Sequence, residues 1–317
     1  MSTEAQSVTA ASPTPDNLLV TKPPAPQQGW QATAYRLTGG AWNAGPSDAE
    51  RSHQELLAAV RRPLRGIRRV AVLSLKGGVG KTTTTVCVGE TLASHRGDRV
   101  IAVDANPDAG TLAERVESDN DATIRDLLNA DPATIDSYVR MREFTSQDSS
   151  RLEVLAGDED PDISEALQAA EYKTVVTVLS RFYNIILTDC GTGLLHSAMS
   201  GILELADDIL IIVGSEVGAA RKASQTLNWL TAHGYADLVA NSIAVISPAT
   251  VGTIAGRDKP HIDIEALTEH FAGRCRTTIE IPADPHLGLG AEVDLNALQP
   301  TTRLAYLKLT AAIAERF

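Results

Sequence analysis

Cysteine and aromatic residues are scarce in this 317-residue chain: there are three cysteines, and Phe, Trp and Tyr together make up 4%. Cys87, Cys190 and Cys275 lie far apart, with no CxxC and no Cys/His ligand spacing. That argues against structural zinc, an iron–sulfur cluster or disulfide staples, and favours a reducing interior. Long apolar runs are missing as well. The best, Ile209–Val213, is of strand length, well short of the roughly 20 residues that cross a bilayer. The opening MSTEAQSVTAASPTPDN has neither the basic region nor the apolar stretch of a signal peptide. Positive charge is also in deficit, 28 Lys+Arg against 40 Asp+Glu for a net −12. The average surface therefore repels nucleic acid and anionic lipid. A cytoplasmic location is expected, with any membrane recruitment supplied by a partner.

What is present suits one large α/β domain, with 43% hydrophobic and 21% charged residues. Residues 1–28 are rich in Ser, Thr, Pro, Ala and Gln. They have too little apolar surface to offset ordering entropy, so a disordered tail is expected. Residues 29–66 form an aromatic and basic segment. It carries Trp30, Tyr35 and Trp42, then one helix opened by the capping-box pattern Ser47-Asp48-Ala49-Glu50, and an arginine-rich stretch from Arg61 to Arg69.

From residue 67 to 317 apolar runs alternate with helical patterns. Strands are expected at Val70–Leu75, Val100–Asp104, Leu152–Leu155, Ile185–Asp189, Ile209–Val213, Ile243–Ile246 and Thr278–Ile281. Helices are expected at Lys81–Ser94, Thr123–Asn129, Ser164–Arg181, Ala219–Ala232 and Ile264–Phe271, with a last one from about Thr302. Several strands are continuous Val/Ile/Leu runs, as parallel strands covered on both faces are. The fold class is a doubly wound, mainly parallel sheet with helices on both faces.

RVAVLSLKGGVGKTTTT runs from a buried strand through a glycine-rich turn into a helix, the context that makes a phosphate loop credible. The glycines Gly77, Gly78 and Gly80, with Val79 between them, let successive backbone N–H groups point at phosphate oxygens. The helix adds the positive end of its dipole. Lys81 reaches the β- and γ-phosphates, Thr82 offers its hydroxyl to Mg²⁺, and Thr83 contacts the α-phosphate. The expected ligand is a nucleoside triphosphate with Mg²⁺, which the family resemblance below makes ATP. Leu75 stands where the strict GxxxxGK[ST] pattern asks for glycine, and Lys76 is an additional lysine.

KGGVGKTT resembles the deviant Walker A motif of the MinD/ParA family of P-loop ATPases, and the resemblance extends over residues 67–317. In that family the lysine matching Lys76 crosses an ATP-sandwiched dimer interface, which implies an ATP-dependent homodimer here. Asp104 matches the first carboxylate of the family's Asp-x-Asp arrangement, as a metal and catalytic residue. Asn106 stands where the second, water-positioning Asp is expected. Asn can orient water but cannot take its proton, so slow hydrolysis and a long-lived ATP state are expected; Asp108 is a candidate substitute base. The apolar strand ending in Asp189 reads as a Walker B strand whose carboxylate holds Mg²⁺ through water. Gly193 follows in a loop able to donate to the γ-phosphate. The resemblance further implies base contacts from Ser247, Pro282 and Asp284.

Relatives of this kind do positional work on a surface or partner. The spacing of cysteines argues against cluster-assembly branches, and the last helix, poor in basic residues, reads as core-covering rather than membrane-inserting. GW…TGG…GPS, DANPDAGTLAERV and DCGTGLLHSAM resemble the actinobacterial MinD-like ATPases associated with type VII (ESX) secretion. The expected function is an ATP-dependent dimer that regulates a protein assembly, in type VII secretion or another cell-envelope process. Its protein partner is unidentified and could be engaged through Trp30, Tyr35 and Trp42. A DNA-binding partitioning ATPase and a nucleotide-locked scaffold without turnover remain the alternatives.

Overall fold

The computed structural model describes residues 24–26, 29–106, 110–117, 120–158, 167–194, 197–247 and 263–317. Most of the expected disordered tail, and Asp108, lie outside these residues. The chain divides into two compact units, Met1–Glu55 and Leu56–Phe317.

In the first unit, helix α1 (Gly29–Leu37) precedes the start of helix α2 (Asp48–Val60). Helix α1 is not among the helices expected from the sequence, yet its stop signal is in the sequence. Gly39 and Gly40 take left-handed backbone angles, φ +57° and +85°, that end a helix without the cost a side chain would add. Thr38 Oγ1 accepts from the Trp42 amide at 3.2 Å. The turn thus returns Trp42 to Trp30, their ring centroids 5.7 Å apart.

The second unit is built on β1 (Arg68–Leu73), α3 (Lys81–His95), β2 (Val100–Ala105), α4 (Ile124–Asn129), α5 (Tyr138–Met141), β3 (Ser146–Gln147), β4 (Glu153–Leu155), α6 (Ala169–Leu179) and β5 (Ile185–Cys190). It continues with α7 (Met199–Leu205), β6 (Asp208–Gly214), α8 (Val217–Ala232), α9 (Ala236–Ala240), β7 (Ile243–Ser247), α10 (Ile264–Ala272), β8 (Thr277–Glu280), α11 (Pro285–Gly288) and α12 (Pro300–Ala314). The sheet order is β3-β4-β2-β5-β1-β6-β7-β8. Every pairing is parallel except the two-residue edge strand β3 on β4.

The doubly wound expectation holds, because successive residues of each central strand enter opposite cores. In β6, Ile209, Ile211 and Val213 join one core with Tyr172, Leu227 and Phe271. Leu210 and Ile212 join the other, with Val86, Leu92, Tyr306 and Ile313. Both faces being covered, the run has no polar alternation to show. Helix α12 buries Tyr306, Leu309 and Ile313 in the core it shares with α3, as a core-covering last helix should. Val60 of α2 packs with Leu307 and Ala311 of α12, so the end of α2 belongs to this unit. No helix among the described residues is long and apolar enough to cross a membrane.

Candidate nucleotide site

The loop between β1 and α3 lies at the carboxyl edge of the parallel strands, where ligands bind in open α/β sheets. Gly80 precedes α3 with φ 88°, and a Cβ there would stand 3.0 Å from Ser247 Oγ. Backbone conformation and close approach both require glycine. Lys81 opens α3 almost wholly buried, its Nζ 2.6 Å from Asp189 Oδ1 at the end of β5. Thr82 Oγ1 donates to Asp189 Oδ2, also at 2.6 Å. A carboxylate from one strand end thus joins the expected phosphate-binding lysine and the expected metal-binding hydroxyl. Burying such a pair is tolerated only because each charge has a partner.

Asp104 ends β2 beside Asp189. Its Oδ1 accepts from the Asn106 amide and its Oδ2 from the Leu112 amide, each at 3.0 Å. Burial, then repulsion from Asp189, pushes its carboxyl up to about 6, against the lowering effect of those amides and Lys81. Gly110 lies against it: a Cβ there would come within 2.8 Å of Asp104 Oδ2. No motif in the chain singles out this glycine. Thr82, Asp104 and Asp189 present only oxygen donors, the set a hard cation such as Mg²⁺ prefers. Among the described residues no cluster of three or more His, Cys, Asp or Glu could hold a metal unaided. Cys190, next to Asp189, is fully buried, and burial pushes its thiol up to about 12, so it stays neutral and packs.

Lys76 sits at the rim, one-third exposed, with its Nζ paired to the Glu216 carboxylate between β6 and α8. Its own backbone is tied back to Ser74, whose Oγ accepts from the Lys76 amide at 3.1 Å and donates to the Lys76 carbonyl at 2.9 Å. The next residue, Val217, is 64% exposed. A cationic tip beside exposed apolar surface therefore flanks the phosphate loop. Gly193 is exposed, with nothing within 4 Å of the Cβ it lacks. Its neighbour Thr192 is the residue that approaches the loop, 3.9 Å from the corresponding position of Gly77.

Next to the loop opens a cavity of about 220 Å³ whose walls include Gly78, Val79, Gly80, Thr83, Ser247, Pro282 and Asp284. The three residues implied as base contacts are thus brought together. Asp284 faces other work, however. Its Oδ1 accepts from the His286 amide and its Oδ2 from the Gln299 amide, each at 2.9 Å. Burial raises its pKa, but hydrogen bonds from Gln299, Thr302, His286 and Leu287 outweigh it and hold the carboxyl below the usual range. It shapes the wall by capping α11. The cavity also has Arg115, Leu287 and Tyr306 on its walls, none of which the sequence marked.

Residues 67–233 match the family model described as an AAA domain. Over 92% of its length the chain is 35% identical to the ESX-1 secretion-associated protein EspI of Mycobacterium tuberculosis, spanning 42% of that protein. It is 30% identical to the sporulation initiation inhibitor protein Soj of Bacillus subtilis, over 50% of this chain and 63% of that one. The septum site-determining protein MinD from Pyrococcus horikoshii, solved complexed with Mg-ADP, superposes with a TM-score of 0.58 at 22% identity. That alignment covers 77% of this chain and 94% of the other.

Proposed function

The chain belongs to the MinD/ParA family of P-loop ATPases, and from that membership we propose that it binds ATP with Mg²⁺, dimerises when ATP is bound, hydrolyses it slowly, and regulates type VII (ESX) secretion. The observation that carries the nucleotide reading is the Lys81–Asp189–Thr82 cluster beneath the glycine loop.

Each part of the cluster has its task. Backbone N–H groups of residues 78–81 and the start of α3 favour the negative charge of a polyphosphate. Lys81 adds a point charge for the β- and γ-phosphates. Thr82, Asp104 and Asp189 would hold Mg²⁺, which when bound neutralises charge on the phosphate oxygens. Asn106, whose backbone is pinned to Asp104, has a carboxamide able to orient an attacking water but not to accept its proton. Positioning and electrostatics without a base support turnover that is slow rather than absent. Lys76 and Val217 form the rim surface on which a second copy would close, with Lys76 exchanging Glu216 for the partner's phosphates.

Similarity to EspI over nearly the whole chain supports secretion as the process served. Deleting the gene in its host should alter export of ESX substrates, and a gene encoding Lys76→Ala should fail to restore it. Unchanged export on deletion would refute the secretion assignment and leave the ATPase reading standing. Asn106 favours one second reading, a scaffold locked by nucleotide. Its signature would be ATP-dependent dimers with no phosphate release.

A further inference from the structure

We infer that Arg115 is a nucleotide-contacting residue, its guanidinium pairing with the α-phosphate end of bound ATP or ADP; the inference rests on the nucleotide reading of the cavity above. Arg115 follows β2 and lines the cavity together with Gly80, Thr83, Ser247 and Pro282. Of the phosphate-loop side chains, this cavity takes in Thr83 but not Lys81 or Thr82. Arg115 therefore stands at the α-phosphate and nucleoside end, away from the metal cluster.

Its charge is unspent. Arg68, Arg69, Arg96, Arg125 and Arg276 each sit on a carboxylate; Arg115, like Arg99 and Arg151, makes no ion pair among the described residues, and it alone of these three lines the cavity. Its Nε is buried without a hydrogen-bond partner. Among the described residues its one side-chain hydrogen bond is a long 3.4 Å contact from Nη1 to the Ala291 carbonyl. The acid on the same wall, Asp284, cannot neutralise it, because both carboxylate oxygens are engaged by backbone amides. A buried, unpartnered guanidinium N–H is costly to leave unmade, and an anion arriving in the cavity would satisfy it with a charge-assisted bond.

Arg115 is also held in place. Its carbonyl accepts from the Val293 amide at 2.9 Å, so together with the Ala291 contact it fastens the segment after α11 to the 3-10 turn Ala113–Arg115. Less side-chain freedom remains to be lost when a ligand binds.

The test is calorimetric titration of ATP and of ADP, each with Mg²⁺, into the full chain and its Arg115→Gln, Arg115→Lys and Lys81→Ala variants. Arg115→Gln should weaken both nucleotides about tenfold and equally, while Arg115→Lys, which keeps the charge, should stay within about threefold of wild type. Three results would overturn the inference. They are Arg115→Gln binding like wild type, a loss confined to ATP, and a lysine variant as weak as the glutamine one. Lys81→Ala should abolish binding; were it to bind like wild type, the nucleotide reading itself would fall, whatever the Arg115 variants do.

Discussion

Asp104 and Asp189 are direct register partners, side by side at the carboxyl ends of β2 and β5. Two buried carboxylates so placed repel one another, and each is tolerated through a different device. Asp189 holds Lys81 and Thr82, while Asp104 takes two backbone amides. The pair concentrates negative charge where a divalent cation would be needed, next to the loop that would bind its phosphates.

Removing one half of the Lys81 pair should be severe. Asp189→Ala leaves an ammonium group buried without its carboxylate, which costs about 3–5 kcal/mol. Urea denaturation should show a lowered midpoint with an unchanged slope, and titration should show loss of Mg²⁺-dependent ATP binding. A variant as stable as wild type would mean that Lys81 finds another partner.

Asn106→Asp restores a group that can accept a proton at the expected water-positioning site. Single-turnover phosphate release should rise about a hundredfold, the low end of what a general base contributes. A slower variant would show that Asn106 is not at the water-positioning site.

Glu90, buried in the middle of α3, carries a carboxyl pushed up to about 9, first by burial and then by Asp148 and Asp294 facing it. Cys87 on the same helix also feels it. The folded pKa lies above the unfolded one. The stabilisation is therefore complete below about pH 4.5 and is lost as pH rises towards 9, since the unfolded state releases the proton first. Glu90→Gln, neutral at every pH, should be more stable than wild type by an amount on the order of 5 kcal/mol at pH 8.5, shrinking to below about 1 kcal/mol near pH 5. Thermal melts at the two pH values decide it. An advantage independent of pH would place the titration elsewhere.

Much of this molecule was legible beforehand, for reasons the particular elements make plain. Seven strands lie within two residues of where the apolar runs put them, most readily the central ones, because strands buried on both faces can hardly be anything else. The phosphate loop was equally readable, since Gly80 and Lys81 serve a backbone geometry that few other sequences allow. β3 was not seen: two residues, Ser146 and Gln147, carry no periodicity. The helix expected from Ser164 begins at Ala169 among the described residues, capped by the reciprocal Gln168–Glu171 pair, a polar signal easily lost among neighbouring acids. Arg115 escaped notice for a deeper reason. Its place on the cavity wall depends on residues 291 and 293 folding back to it from the far end of the chain, and no local pattern encodes such a meeting.

On the proposal above, Lys76 turns an ATP-binding domain into half of a dimer, and light scattering of the full chain reads that change as mass. With ATP and Mg²⁺, the wild type should double its mass, and with ADP it should not. Lys76→Ala should remain a monomer with ATP while binding the nucleotide within about threefold of wild type, because Lys76 pairs with Glu216 at the rim and not with the Lys81 cluster. A wild type that stays monomeric with ATP, or a Lys76→Ala variant that dimerises as well as wild type, would contradict the account.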